Sequence, residues 1–235
     1  MSGCSASAYW SGTLPSGEVL SHPGGSALTR RALELACLPA GARVLDVGCG
    51  SGQSLRLLGS LGYCGLGVDL ASDGRPGVSY IRARAEALPV PSASFEAVLM
   101  ECSLSVAAAQ QQAILECARV LVPGGRLIVS DLYARAPESI RQIRALERSC
   151  VAGMLVREDL ECWLGRAGFR TNLWEDHSSE LRTFVAGFLM QGGTPDELWG
   201  CSGGSAEAIA QAMRSVRAGY FLLVATRGPE RGEQR

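Results

Sequence analysis

The residues Val44-Leu45-Asp46-Val47-Gly48-Cys49-Gly50-Ser51-Gly52 run from a short apolar stretch carrying one carboxylate into three glycines at alternate positions. An apolar run of this length reads as a buried strand, and the glycines let the chain turn tightly and approach a ligand with its backbone. The N–H groups at the start of a helix after Gly52 suit an anionic group. A nucleotide-like ligand is therefore expected there. Asp69 stands seventeen residues after Gly52, at the end of the next apolar run, where it can accept hydrogen bonds from two ribose hydroxyls.

A dinucleotide site would offer the same acid, so the glycine spacing decides. Position 53 is Gln where the third glycine of G-x-G-x-x-G would fall. Asp46, Asp69, Glu86 and Glu101 all fall at or just beyond strand ends. Such a ring of carboxylates repels a pyrophosphate and suits a ligand bearing an ammonium and a sulfonium. A nicotinamide oxidoreductase is disfavoured on both counts.

These residues need a scaffold of alternating elements. Short apolar runs predict strands over 43–47, 65–69, 78–82, 95–100 and 126–130, with helical stretches over 27–37, 52–61 and 106–121. Ser26 is a candidate N-cap for the first helix, and Pro123-Gly124-Gly125 closes the third and turns into the next strand. Further on come a helix over 157–167, strands over 169–174 and 220–226, and between those strands two helical patterns over 179–190 and 206–216. The organisation is an N-terminal arm or lid over 1–25, one domain over 26–227 with a helical insert at about 178–217, and a flexible tail over 228–235. Alternating strands and helices mean an open α/β sheet.

Composition narrows the function. The 235 residues are 47% hydrophobic and 19% charged with a formal net charge of −1, which leaves no electrostatic footprint for nucleic acid or an anionic membrane. All 22 basic residues are Arg, which excludes a P-loop lysine, a Schiff-base lysine and a kinase-type lysine. Nine cysteines without a C-x-x-C fit a reducing compartment. With no secretory signal and no membrane span, the expectation is a cytoplasmic protein.

The blocks VLDVGCGSG, GVDL, ARAEALPVPSASFEAVLMECSLS and RVLVPGGRLIVSD, in this order, resemble the class I S-adenosylmethionine-dependent methyltransferases over roughly residues 26–175. The resemblance implies a Rossmann-like seven-stranded, mostly parallel sheet with helices on both faces, S-adenosyl-L-methionine as methyl donor and S-adenosyl-L-homocysteine as product. It implies that Gly48, Cys49, Gly50 and Gly52 line the methionine and ribose, with Asp46 supporting the loop. Asp69 would hold the ribose hydroxyls with Leu70 beside it. Ala85 and Glu86 would border the adenine, and Glu101 and Cys102 would offer backbone groups to the methionine end. Arg84 departs from the pattern, since many relatives carry an acid there. Several of these positions also have structural readings: Asp46 as a loop cap, Glu86 as a solvated strand-end acid, Cys49 as a small packing residue.

A narrower resemblance, to the arsenite methyltransferases, rests on Ser130-Asp131-Leu132-Tyr133, on Ser149-Cys150-Val151-Ala152-Gly153 and on Ala167-Gly168-Phe169. It implies that Cys150 binds a metalloid, for which a thiolate is the natural soft ligand. A buried structural cysteine is the alternative. The further cysteines of those enzymes have no secure counterpart here, Cys49 and Cys201 included.

The expected reaction is methyl transfer to a small-molecule acceptor, with a non-catalytic cofactor-binding protein as the rival. If the acceptor carries a proton, the candidate bases are His177, Glu175 and Asp131; Glu175-Asp176-His177 also reads as a capped loop with a solvated histidine. His22 and His177 are the only histidines, and neither falls in a metal-ligand spacing, so no metal is expected. The arm, with Tyr9 and Trp10, and the insert, with Phe184, Phe188, Leu189 and Met190, are candidates for acceptor recognition, the insert also for an oligomer contact.

Overall fold

The computed structural model describes residues 22–70, 77–146, 151–194, 198 and 206–229. Its seven strands are β1 (Arg43–Val47), β2 (Cys64–Asp69), β3 (Tyr80–Arg82), β4 (Phe95–Glu101), β5 (Leu121–Tyr133), β6 (Phe169–Asp176) and β7 (Gly219–Arg227). They form one sheet in the order β3-β2-β1-β4-β5-β7-β6. The first five run parallel, and β7 lies antiparallel between β5 and β6.

Successive residues of a strand point to opposite faces, so apolar runs without polar alternation require helices on both. Val44, Leu99, Ile128 and Leu222 pack on one side, and Leu45, Val98, Leu127 and Phe221 on the other. The first side is covered by α1 (Gly25–Ala36), α2 (Gln53–Ser60), α6 (Ser178–Met190) and α7 (Ala206–Ser215), through Leu33, Leu58, Leu181 and Ile209. The second is covered by α3 (Gln110–Val120) and α5 (Arg157–Arg166), through Ile114 and Leu160. A short α4 (Ile140–Arg144), which the sequence pattern did not single out, follows a 3-10 turn at Pro137–Ser139. The helices expected between the last two strands are α6 and α7; of the residues joining them only 191–194 and 198 are described, and Tyr9, Trp10 and Cys201 lie outside the described residues.

Three expectations shift. Ser26 is not the cap of α1: Gly24 takes that place in a left-handed conformation at φ 81° without a side-chain cap. The third helix starts at Gln110 rather than 106, because the chain from 103 to 109 turns beside the sheet edge. The fifth strand begins at Leu121, and its Pro123-Gly124-Gly125 segment makes an irregularity opposite the Phe95 to Ala97 stretch of β4.

The antiparallel end of the sheet is held by rings. Trp174 stacks on Phe221 with centroids 4.3 Å apart, Tyr133 meets both edge-on, and the Arg157 guanidinium lies 4.7 Å from the Trp174 ring centre. Phe221→Ala should cost about 3 to 5 kcal/mol, read from urea unfolding; a loss below about 1 kcal/mol would show that the ring cluster does not anchor β7.

Candidate functional site

The strand order reverses between β1 and β4, and in open α/β sheets this is where a crevice forms at the carboxyl ends. A cavity of ≈ 350 Å³ lies there. The loop after β1 forms its floor. Gly48, Gly50 and Gly52 all have positive φ, at 84°, 47° and 78°. At Gly48 a side chain is excluded twice, by φ and by Ser103, whose Cβ would collide with a Cβ on residue 48. Ser103 in turn donates from Oγ to the Val47 carbonyl at 2.6 Å. The Asp69 carboxylate at the end of β2 accepts from the Gly50 N–H at 2.8 Å, which fixes the loop against the neighbouring strand.

Asp46, Gly48, Cys49, Gly50, Asp69, Leu70, Ala85, Glu86, Glu101 and Cys102 all line this cavity. Gly52 does not; it lies one step behind, as the N-cap of α2. Cys49 Sγ stands 2.6 Å from where a Cβ on Gly67 would be, so this thiol packs tightly on β2. Glu86 is more than a solvated acid: it accepts from the Ala109 N–H at 3.1 Å and pairs with Arg84 at 3.3 Å. Burial works against its ionisation, yet these partners hold its carboxyl below the ordinary range. Four carboxylates, of Asp46, Asp69, Glu86 and Glu101, thus face one space together with Arg84 and His22.

Cys102 is buried at φ 49° with its sulfur 3.2 Å from the Tyr220 hydroxyl, which donates to Ser130 Oγ at 3.1 Å and so accepts from the thiol. Burial, then the charge of Asp131, push the Cys102 thiol up, which keeps it protonated and a poor nucleophile.

The suggested bases stand elsewhere. Glu175 and His177 do not line the cavity. The Arg31 guanidinium of α1 grips Glu175 through two bonds of 2.6 and 3.0 Å, and His177 Nε2 lies 2.9 Å from the same carboxylate. Arg31 above all holds the Glu175 carboxyl down at about 2, so it has almost no affinity for a proton at neutral pH. This group ties α1 to the end of β6. Asp131 is fully buried and also absent from the cavity wall; it accepts from the Ser105 N–H at 2.8 Å and the Leu132 N–H at 2.7 Å. It braces the segment after β4 that forms the cavity wall. Cys150 lies outside the described residues.

His22 was missed as a site residue. It lines the cavity with its Nε2 3.3 Å from Glu101 Oε1. The sequence signal was slight: one of two histidines, directly before Pro23-Gly24-Gly25 and the first helix.

A model of the methyltransferase domain family matches residues 45–129, the strands and loops that build this cavity. The chain is 30% identical over 238 residues to the O-methyltransferase resE of Aspergillus sclerotiorum, covering 93% of this chain and 88% of that protein. It is 31% identical over 153 residues to the arsenite methyltransferase of Aquipseudomonas alcaligenes, covering 55% of this chain and 44% of that protein; the chain thus spans less than half the length of that relative. Among solved structures, the [4+2]-cyclase SpnF superposes with a TM-score of 0.64 at 28% identity, over 86% of this chain and 80% of that one. The fold, the glycine loop and these likenesses define a class: the chain belongs to the class I S-adenosylmethionine-dependent methyltransferases.

Burial pushes the Asp131 carboxyl up to about 6. The folded state then holds this proton more tightly than the unfolded chain, so the contribution to stability is full below about pH 4 and is lost as pH rises through about 6. The stability gap between the wild type and Asp131→Asn, which does not titrate, should move by about 3 kcal/mol across that window in favour of the wild type at the acidic end. Urea unfolding at pH 4 to 8 measures it, and a constant gap would contradict the assignment.

Proposed function

We propose that the cavity binds S-adenosyl-L-methionine and that the chain transfers its methyl group to a small-molecule acceptor by in-line displacement. The observation that carries this reading is Asp69. Its carboxylate stands at the end of β2, fixed by the Gly50 N–H and facing the cavity, where two vicinal ribose hydroxyls would find a strong acceptor. The remaining carboxylates favour a cationic ligand over a dinucleotide.

The donor supplies an already activated methyl group. The acceptor atom forms a bond to that carbon as the sulfur–carbon bond breaks, and S-adenosyl-L-homocysteine leaves with the electron pair. The chain's part is to hold donor and acceptor about 3 to 3.5 Å apart in line and to exclude water. A proton, where the acceptor has one, leaves by a group other than Glu175, which Arg31 holds ionised and which does not line the cavity.

Asp69→Ala should weaken S-adenosyl-L-homocysteine by about 1.5 to 3 kcal/mol, roughly tenfold or more, in isothermal titration calorimetry. NAD, run in parallel, should not bind. Unchanged affinity would remove the ribose assignment, and binding of NAD alone would remove the donor.

A second reading is supported by the arsenite methyltransferase of Aquipseudomonas alcaligenes and by one of Mus musculus, 29% identical over 154 residues. Here the acceptor is a trivalent metalloid held by Cys150. Cys150→Ser should then abolish turnover with arsenite while leaving donor binding intact; normal turnover, or none with the wild type, would leave the organic acceptor.

A further inference from the structure

His22 belongs to no helix or strand, yet it is only 6% exposed. Its Nδ1 lies 3.0 Å from the Pro23 carbonyl oxygen, which can only accept, so a bond from Nε2 to Glu101 is donated by the imidazolium, with a hydrogen on each nitrogen. Its Nε2 lies 3.1 Å from Thr29 Oγ1 and 3.3 Å from Glu101 Oε1. The Thr29 hydroxyl donates to that same Oε1 at 2.8 Å, and the Ser54 hydroxyl donates to Oε2 at 2.6 Å. Glu101, with its side chain 7% exposed, is therefore held from three pieces of chain: the segment before α1, α1 itself and the first turn of α2.

This clamp fixes the carboxylate without exhausting it. A carboxylate has about four acceptor sites, and Glu101 faces the cavity. One residue before Ser54, Gln53 faces the same cavity, and its Oε1 is buried with no hydrogen-bond partner among the described residues. A buried amide oxygen without a donor is costly, and a ligand N–H would satisfy it. The strand order β2-β1-β4 sets Asp69 and Glu101 on either side of the glycine loop. A ligand whose ribose meets Asp69 carries its other end toward Glu101.

We propose that His22 is a positioning residue of the donor site: it holds Glu101, together with Gln53, as a corner of acceptors for the α-ammonium group at the methionine end. The inference rests on the donor reading above and adds that the stretch before α1 is part of the site. His22 acts through Glu101 and touches no reacting atom.

The test compares two ligands on the full chain by calorimetry: S-adenosyl-L-homocysteine, which has the ammonium, and 5′-methylthioadenosine, which has the adenosine and sulfur without the amino-acid end. His22→Ala should weaken the first about tenfold or more and the second less than about twofold. Glu101→Gln should do likewise, and the double variant should be no weaker than Glu101→Gln alone. His22→Gln, whose amide can still donate to Glu101, should recover most of the loss. Equal weakening of both ligands, additive losses or an unchanged His22→Ala would overturn the proposal. A wild type that binds neither ligand is a different result, and overturns the donor reading itself.

Discussion

Everything at the carboxyl edge of the sheet depends on how closely the turn after β1 lies against the turn after β4. Residue 48 has no side chain, and the space a Cβ would take is filled by Ser103. The contact is reinforced by Ser103 Oγ on the Val47 carbonyl, while the Gly50 N–H on Asp69 ties the same loop to the end of β2. Two turns from distant parts of the chain thus become one rigid floor. Preorganisation of this kind lets binding energy go to the ligand rather than to ordering the loop.

The charge pattern has a matching logic. Four carboxylates in one crevice would repel one another, and each one whose contacts are described is steadied by donors: Asp69 by a backbone N–H, Glu86 by Ala109 and Arg84, Glu101 by hydroxyls and an imidazole. At Glu86 such bonds to the ionised form outweigh burial and hold the carboxyl below its ordinary range. Away from the cavity Glu175, held down by Arg31, ties α1 to β6, whereas at Asp131 burial wins over its hydrogen bonds while the side chain braces the wall.

The sheet and the glycine loop were legible in the sequence because both are local patterns. Buried parallel strands are unbroken apolar runs, and 43–47 matched to the residue. What escaped was set by tertiary contact. The start of α3 moved to Gln110 because residues before it serve the cavity wall, a constraint that helical periodicity does not carry. His22 escaped because its partners, Thr29 and Glu101, are 7 and 79 positions away, and only the docking of α1 beside β4 brings them together. The Arg31 partner of Glu175 escaped for the same reason, since it is 144 residues away in the chain.

β7 completes a sheet it enters late. β6 pairs with β7 alone, and β7 is bonded along its length to β5 on the other side. During synthesis, β1 to β5 can therefore assemble while β6 and the helices after it wait for residues 219–227 to emerge. Until then β5 presents an open, apolar edge of the sort that recruits other strands. The last strand to emerge thus decides when a nascent molecule stops being prone to aggregation.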